Sequence, residues 1–299
     1  KEENFRGVIN GKAVALFTVC NRNGCVAQFT NYGARWLSMW VPGKNKQWAD
    51  VVLGFDSLDG YSNAGEKYYG AVIGRVCGRI DKGRFELYGN KYQLANNDLF
   101  GSPVKNHLHG GFGGFSFGVW SGKWLCNEQG EEAVEMTLLS EDMEEGYPGK
   151  LSVKVVYTLG EDDSVKINYS ATTDKTTIIN LTNHAYFNLN NKVSNNILNH
   201  YLHINADRIV ACNEALIPTG HIISIKDTPL DFTHAQTIGS RITDSFPHHL
   251  FQGKGYVVSY VLNEPAQTLS LAATVVAKES GRVMQVYTDQ PGLQFYSGW

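Results

Sequence analysis

The sequence predicts one large all-β domain with few short helices. Three observations carry that expectation. The 299 residues include 31 Gly but only 8 Pro, with 15 Tyr, 14 Phe and 6 Trp, a composition suited to short strands joined by tight turns. Apolar and polar residues alternate with period two in most hydrophobic segments. No segment keeps a helical period for more than about two turns.

Val14 to Val19 and Val26 to Asn31 read as a hairpin about Asn21-Arg22-Asn23-Gly24, because Asn and Gly tolerate the positive φ of such turns. Ala133 to Leu139, Leu151 to Leu159 and Ser164 to Ser170 are further strands, the last two joined through Gly160-Glu161-Asp162-Asp163. Tyr201 to Ile209 reads as one strand. Ser270 to Ala277 and Val283 to Thr288 turn about Glu279-Ser280-Gly281, and Thr233 is placed to cap a short helical turn ending near Gly239. No repeat, linker or low-complexity segment divides residues 1–299, so a single domain is expected.

Lys and Arg number 26 against 29 Asp and Glu, for a net charge of −3, and charged residues make up 18% of the chain. A hydrophobic content of 42% excludes a disordered chain. No apolar run reaches the roughly 18 residues of a membrane span. No block of Lys and Arg suits a nucleic-acid backbone, so the implied partner is small and weakly charged. The five cysteines show neither C-x-x-C nor metal-ligand spacing. Cys20 and Cys25 flank the first hairpin turn, and either face each other as a disulfide or remain free thiols. The sequence begins at Lys1 rather than Met, which leaves the compartment open: cytoplasmic, or periplasmic or secreted if a signal peptide precedes Lys1. Oligomeric state is equally open.

Three polar, irregular stretches interrupt the strands and are where function is expected. In G-R-V-C-G-R-I (Gly74 to Ile80), Arg75 and Arg79 share a face if the segment is a strand and are independent if it is irregular. They form either a fork for ligand hydroxyls or a structural ion pair. In N-H-L-H-G-G-F-G-G-F-S-F (Asn106 to Phe117), His107 and His109 are two apart, which fits either a metal pair or ordinary hydrogen-bonded residues. No G-K-[ST] follows, so the glycines are read as allowing close approach to a ligand rather than as a phosphate loop. In N-L-T-N-H-A-Y-F-N-L-N-N (Asn180 to Asn191), His184 stands among amides able to fix its tautomer, and imidazole titrates near neutrality, which makes it the leading proton-transfer candidate. Asp231 and Gln294 are polar groups among apolar neighbours, suited either to sugar hydroxyls or, respectively, to a turn cap and a solvent-facing strand position.

Ordered along the chain are T-N-Y-G-A-R (Thr30 to Arg35), D-V-V-L-G-F-D-S (Asp50 to Ser57), G-R-V-C-G-R-I, N-H-L-H-G-G, E-G-Y-P-G (Glu145 to Gly149), T-N-H-A-Y-F-N-L, L-I-P-T-G (Leu216 to Gly220) and Q-P-G-L-Q-F-Y-S-G. Together these segments resemble the aldose 1-epimerase, or galactose mutarotase, family. The resemblance implies a large antiparallel β-sandwich of the galactose mutarotase-like kind, whose cleft binds a free hexose and needs neither cofactor nor metal. It implies that His184 is the general acid for the ring oxygen, that His109 helps to hold the sugar, and that Arg79, Asp231, Gln294 and Tyr186 bind substrate.

The sequence departs from the family in three places. Gly78 stands where Asn usually precedes the binding Arg, Val257-Val258 replaces a usual D-H, and no residue up to Trp299 corresponds to the family's Glu base. The last departure leads to the expectation that a C-terminal segment carrying that Glu is missing. The competing expectation is a catalytically weak sugar-binding protein of the same fold.

Overall fold

The computed structural model describes residues 1–98, 105–191, 193, 196–242 and 255–298; Trp299 lies outside them. Their fold is nearly all β. Among the described residues one α-helix occurs, Leu58–Asn63, capped by Ser57, whose side chain accepts from the Gly60 N–H at 3.1 Å. The chain forms two compact units, residues 1–42 with 48–187, and 43–47 with 188–299.

The first unit contains two four-stranded antiparallel sheets. One orders Leu16–Cys20, Val26–Thr30, Arg35–Pro42 and Trp48–Asp50, and the other Ser121–Cys126, Glu132–Ser140, Leu151–Leu159 and Val165–Thr173. The two-residue period of Leu151–Leu159 turns Val153, Val155 and Tyr157 inward, where Tyr157 stacks on Phe29 of the other sheet at 4.4 Å. The first hairpin forms as expected. Its register sets Cys20 opposite Val26, so the pleat sends Cys20 outward while Cys25 is buried, and both are free thiols rather than a disulfide.

Arg35, only 1% exposed, knits this unit together by donating to the carbonyls of Lys67, Tyr69 and Ser116 at 2.8 to 2.9 Å. A buried guanidinium is tolerable when its charge is offset; here both terminal nitrogens are hydrogen-bonded, and the rings of Tyr32 and Tyr61 lie 5.1 and 5.3 Å from it. These bonds fix the segment that leads into Tyr68 and Gly70.

The second unit pairs Gln236–Thr237, Tyr201–Ile204, Ser270–Ala277 and Arg282–Thr288 in one sheet, and Pro218–Ser224, Arg208–Cys212, Val257–Val261 and Gly292–Tyr296 in another. Leu202, Ile204, Ile209, Phe232, Val258 and Tyr260 belong to its core. The single strand expected over Tyr201 to Ile209 is two strands in different sheets, because the chain leaves the ladder between Ile204 and Arg208 to cross the core. Thr233 caps no helix. Its N–H and hydroxyl donate to the Asp231 carboxylate at 3.0 and 2.6 Å, and the 3-10 turn Ile238–Arg241 follows Thr237 instead.

Candidate active site

Two short antiparallel pairs in the first unit carry the expected side chains. Val72–Ile73 pairs with Thr182–Asn183, and Arg79–Ile80 with His107–Leu108. His184 and His109 each follow directly on the last paired residue, so both imidazoles stand at strand ends. His109 has turned into the left-handed region at φ 53.

The His184 backbone is bonded on both sides to the Gly70-Ala71 segment, its N–H donating to Ala71 at 2.8 Å and its carbonyl accepting from Gly70 at 2.9 Å. Only glycine fits at 70: its φ is +65, and a Cβ would lie 2.0 Å from the Trp36 carbonyl. The neighbouring amide serves the main chain rather than the imidazole tautomer. Asn183 donates to the Gly70 carbonyl at 2.8 Å and to the Tyr157 hydroxyl at 3.1 Å, and accepts from the Ala185 N–H at 2.9 Å.

The rings of His109 and His184 meet edge to face with centroids 5.3 Å apart. Tyr68 packs against both, at 4.7 and 5.8 Å, and Tyr186 lies 5.0 Å from His184. Burial lowers the pKa of His184 to about 4, with a further push from Arg35. Burial, with help from His184 and Arg79, holds His109 well below the usual imidazole value. Both rings are therefore neutral at pH 7. The Gly78 N–H donates to His109 Nδ1 at 3.1 Å. A backbone amide can only donate, so Nδ1 is the bare nitrogen and Nε2 carries the proton. His109 thus presents an N–H donor.

Arg75 and Arg79 follow the irregular alternative and act separately. Arg75 is 2% exposed and donates to Ser140, to Pro148 O at 2.8 Å and to Glu141 O at 2.9 Å, a structural role. Arg79 is held through Nε by Asp98 at 2.6 Å. The metal-pair reading of His107 and His109 fails on geometry. His107 is fully buried, with Nδ1 bonded to the Ala95 carbonyl at 2.7 Å and Nε2 to the Tyr147 hydroxyl at 2.6 Å, which occupies both ring nitrogens. The glycine-rich loop is also explained differently from the expectation of ligand approach. A Cβ on Gly110 would lie 1.7 Å from the Gly74 carbonyl, so glycine there lets loop and neighbouring strand touch.

Asp231 and Gln294 lie in the second unit, where the bland alternatives describe their contacts. Burial alone would raise the Asp231 pKa, but the hydrogen bonds from Thr233 outweigh it and lower the value. Gln294 is exposed on Gly292–Tyr296 and accepts from the hydroxyl of its cross-strand partner Ser259 at 2.5 Å. Sequence reasoning missed Tyr68 and Asp98. Neither belongs to a spaced motif, and the run Asn96-Asn97-Asp98 reads locally as a turn.

A family model described as aldose 1-epimerase matches residues 15–299. The chain belongs to the aldose 1-epimerase family. It is 41% identical over 268 residues to a galactose mutarotase of Bos taurus, covering 90% of this chain and 73% of that protein. It is 35% identical over 295 residues to an aldose 1-epimerase of Haemophilus influenzae, covering 97% and 80%. Among solved structures, a GalM/aldose epimerase homologue from C. elegans superposes with a TM-score of 0.82 at 26% identity, over 95% of this chain and 82% of that one. A galactose mutarotase-like protein from Clostridium acetobutylicum shares the fold at 15% identity and a TM-score of 0.67. The expected all-β, galactose mutarotase-like fold is borne out, and so is the family.

Proposed function

We propose that the chain interconverts the α and β anomers of free hexoses, such as glucose and galactose, at the His109–His184 cluster. The observation that carries this reading is the meeting of two neutral imidazoles at 5.3 Å, walled by tyrosines, in a member of the aldose 1-epimerase family. In the reaction a base takes the proton of the C1 hydroxyl while His184, as its imidazolium, gives one to the ring oxygen. The bond between C1 and the ring oxygen breaks, leaving an aldehyde. Rotation about C1–C2 presents the other face, the bond re-forms and both protons return. No oxidation state changes and no group is transferred, so side-chain proton transfer suffices.

A His184 imidazolium at pH 7 costs about 4 kcal/mol, given a pKa near 4. The proton transfer at His184 is therefore coupled to negative charge developing on the sugar. His109 donates its Nε2–H to a sugar oxygen. Asp98 fixes Arg79 through Nε, and its terminal nitrogens bind hydroxyls. Tyr186 lines the site beside His184; Asp231 and Gln294, read as substrate-binding from the family resemblance, lie in the second unit. The family match runs through both units, which supports reading them as one functional domain.

Polarimetry of freshly dissolved α-D-glucose and α-D-galactose tests the proposal. Addition of protein is expected to speed the approach to anomeric equilibrium above buffer. Saturable sugar binding without acceleration would leave a sugar-binding protein in place of an epimerase.

A further inference from the structure

The E-G-Y-P-G segment is a sequence motif to which the reaction above gives no task. Its Glu145 and Tyr147 reach the chain on opposite sides of His109. On the N-terminal side, the Tyr147 hydroxyl bonds His107 Nε2 at 2.6 Å, and Tyr147 is itself 1% exposed. On the C-terminal side, the Glu145 carboxylate accepts from the Phe112 N–H at 3.2 Å and the Gly113 N–H at 2.6 Å. Gly111, just before them, has φ +100, and a Cβ there would lie 2.1 Å from the Glu145 carboxylate, so the loop wraps that group closely.

The grip has a firm base. Arg75 holds the carbonyl of Glu141 ahead of the segment and that of Pro148 within it, and the Met143 N–H just before the segment donates to Tyr147 O at 2.8 Å. Glu145 and His109 both adopt left-handed φ values, 51 and 53, uncommon for residues with a Cβ and maintained where surrounding bonds fix them.

We propose that Glu145 is a positioning residue for His109: with Tyr147 it grips the chain on both sides of that imidazole and sets the direction of its Nε2–H. The inference rests on the anomer-interconverting site proposed above. It assigns Glu145 no contact with sugar. Its carboxylate acts through two charge-assisted hydrogen bonds to the loop, whose loss lets His109 leave the Gly78 N–H and the rim of His184.

The test has two readouts. The first needs no activity: long-range 1H–15N correlation of the histidine rings. In the intact protein His109 is expected as the Nε2–H tautomer, and Glu145→Ala is expected to convert its signal to a tautomer mixture while His107 stays unchanged. An unaltered His109 signal in Glu145→Ala would overturn the proposal. The second is a double-mutant cycle of Glu145→Ala and His109→Ala on kcat/KM for α-D-galactose. Glu145→Ala alone is expected to lose on the order of 10-fold to 100-fold, and to lose almost nothing further once His109 is absent. Full additivity would overturn the proposal while leaving the epimerase reading intact. If Glu145→Ala does not fold, Glu145→Gln, which keeps one acceptor, carries the same cycle with a smaller loss. An intact protein that accelerates nothing would remove the epimerase reading, and the ring signals would still decide whether Glu145 positions His109.

Discussion

The two strand ends that present His184 and His109 are held to different degrees by the main chain. His184 sits in a continuous backbone ladder, bonded to Gly70 and Ala71 on both sides and braced by Asn183. His109 keeps one main-chain bond to the neighbouring strand, its N–H donating to the Gly78 carbonyl at 3.1 Å, and then enters a glycine-rich loop that side chains from distant segments secure. The difference teaches where each is vulnerable. A ladder distributes the load over main-chain bonds that most substitutions leave in place, whereas the loop depends on a few glycines and one carboxylate.

Substitutions can sharpen that contrast. The largest expected effect is Gly110→Ala. With φ +88 and a Cβ only 1.7 Å from the Gly74 carbonyl, the loop cannot stay where it is, and soluble folded protein should be lost or the melting temperature should fall steeply in calorimetry. A melting curve like that of the parent would contradict the packing described for the loop. Next comes His184→Ala, which should cut kcat by about 10² to 10⁴, the usual worth of a positioned proton-transfer group, with little change in melting temperature because the ladder does not use the imidazole.

Asp98→Asn should weaken sugar binding by about 10-fold, read as KM, because a charge-assisted bond fixing Arg79 is replaced by a neutral one. An unchanged KM would separate Arg79 from the substrate. A further effect is that of pH on stability. His184 has a folded-state pKa of about 4, below the ordinary value near 6.5, so between these values the unfolded chain binds more protons. Stability should therefore fall as pH drops from about 6.5 through about 4, and His184 should contribute about 2 kcal/mol of that loss at pH 5. Denaturant titrations at pH 7 and pH 5 should show a smaller difference for His184→Phe than for the parent.

The sequence made the strands legible wherever burial alternated, as in Leu151–Leu159 and Arg282–Thr288, because period two is a local signal. It missed the break inside Tyr201 to Ile209, since an interior Ala206 and a strand Ala look alike. His109, His184 and Tyr186 were legible from their motifs, and the fold brings their segments together. Tyr68, Asp98 and the task of Glu145 were not, because each acquires its partner only through tertiary contacts that no spacing encodes. His107 shows the same limit from the other side. Two residues from His109 and chemically identical, it is spent on Ala95 and Tyr147 in the core.

Under the proposed function, a sugar's ring opens and closes at the His109–His184 pair, with His184 moving the proton. Polarimetry of fresh α-D-galactose with the intact protein and with His184→Ala, side by side at equal concentration, tests it most directly. Clear acceleration by the parent and a rate close to buffer for the variant are expected. Equal acceleration by both proteins would contradict it.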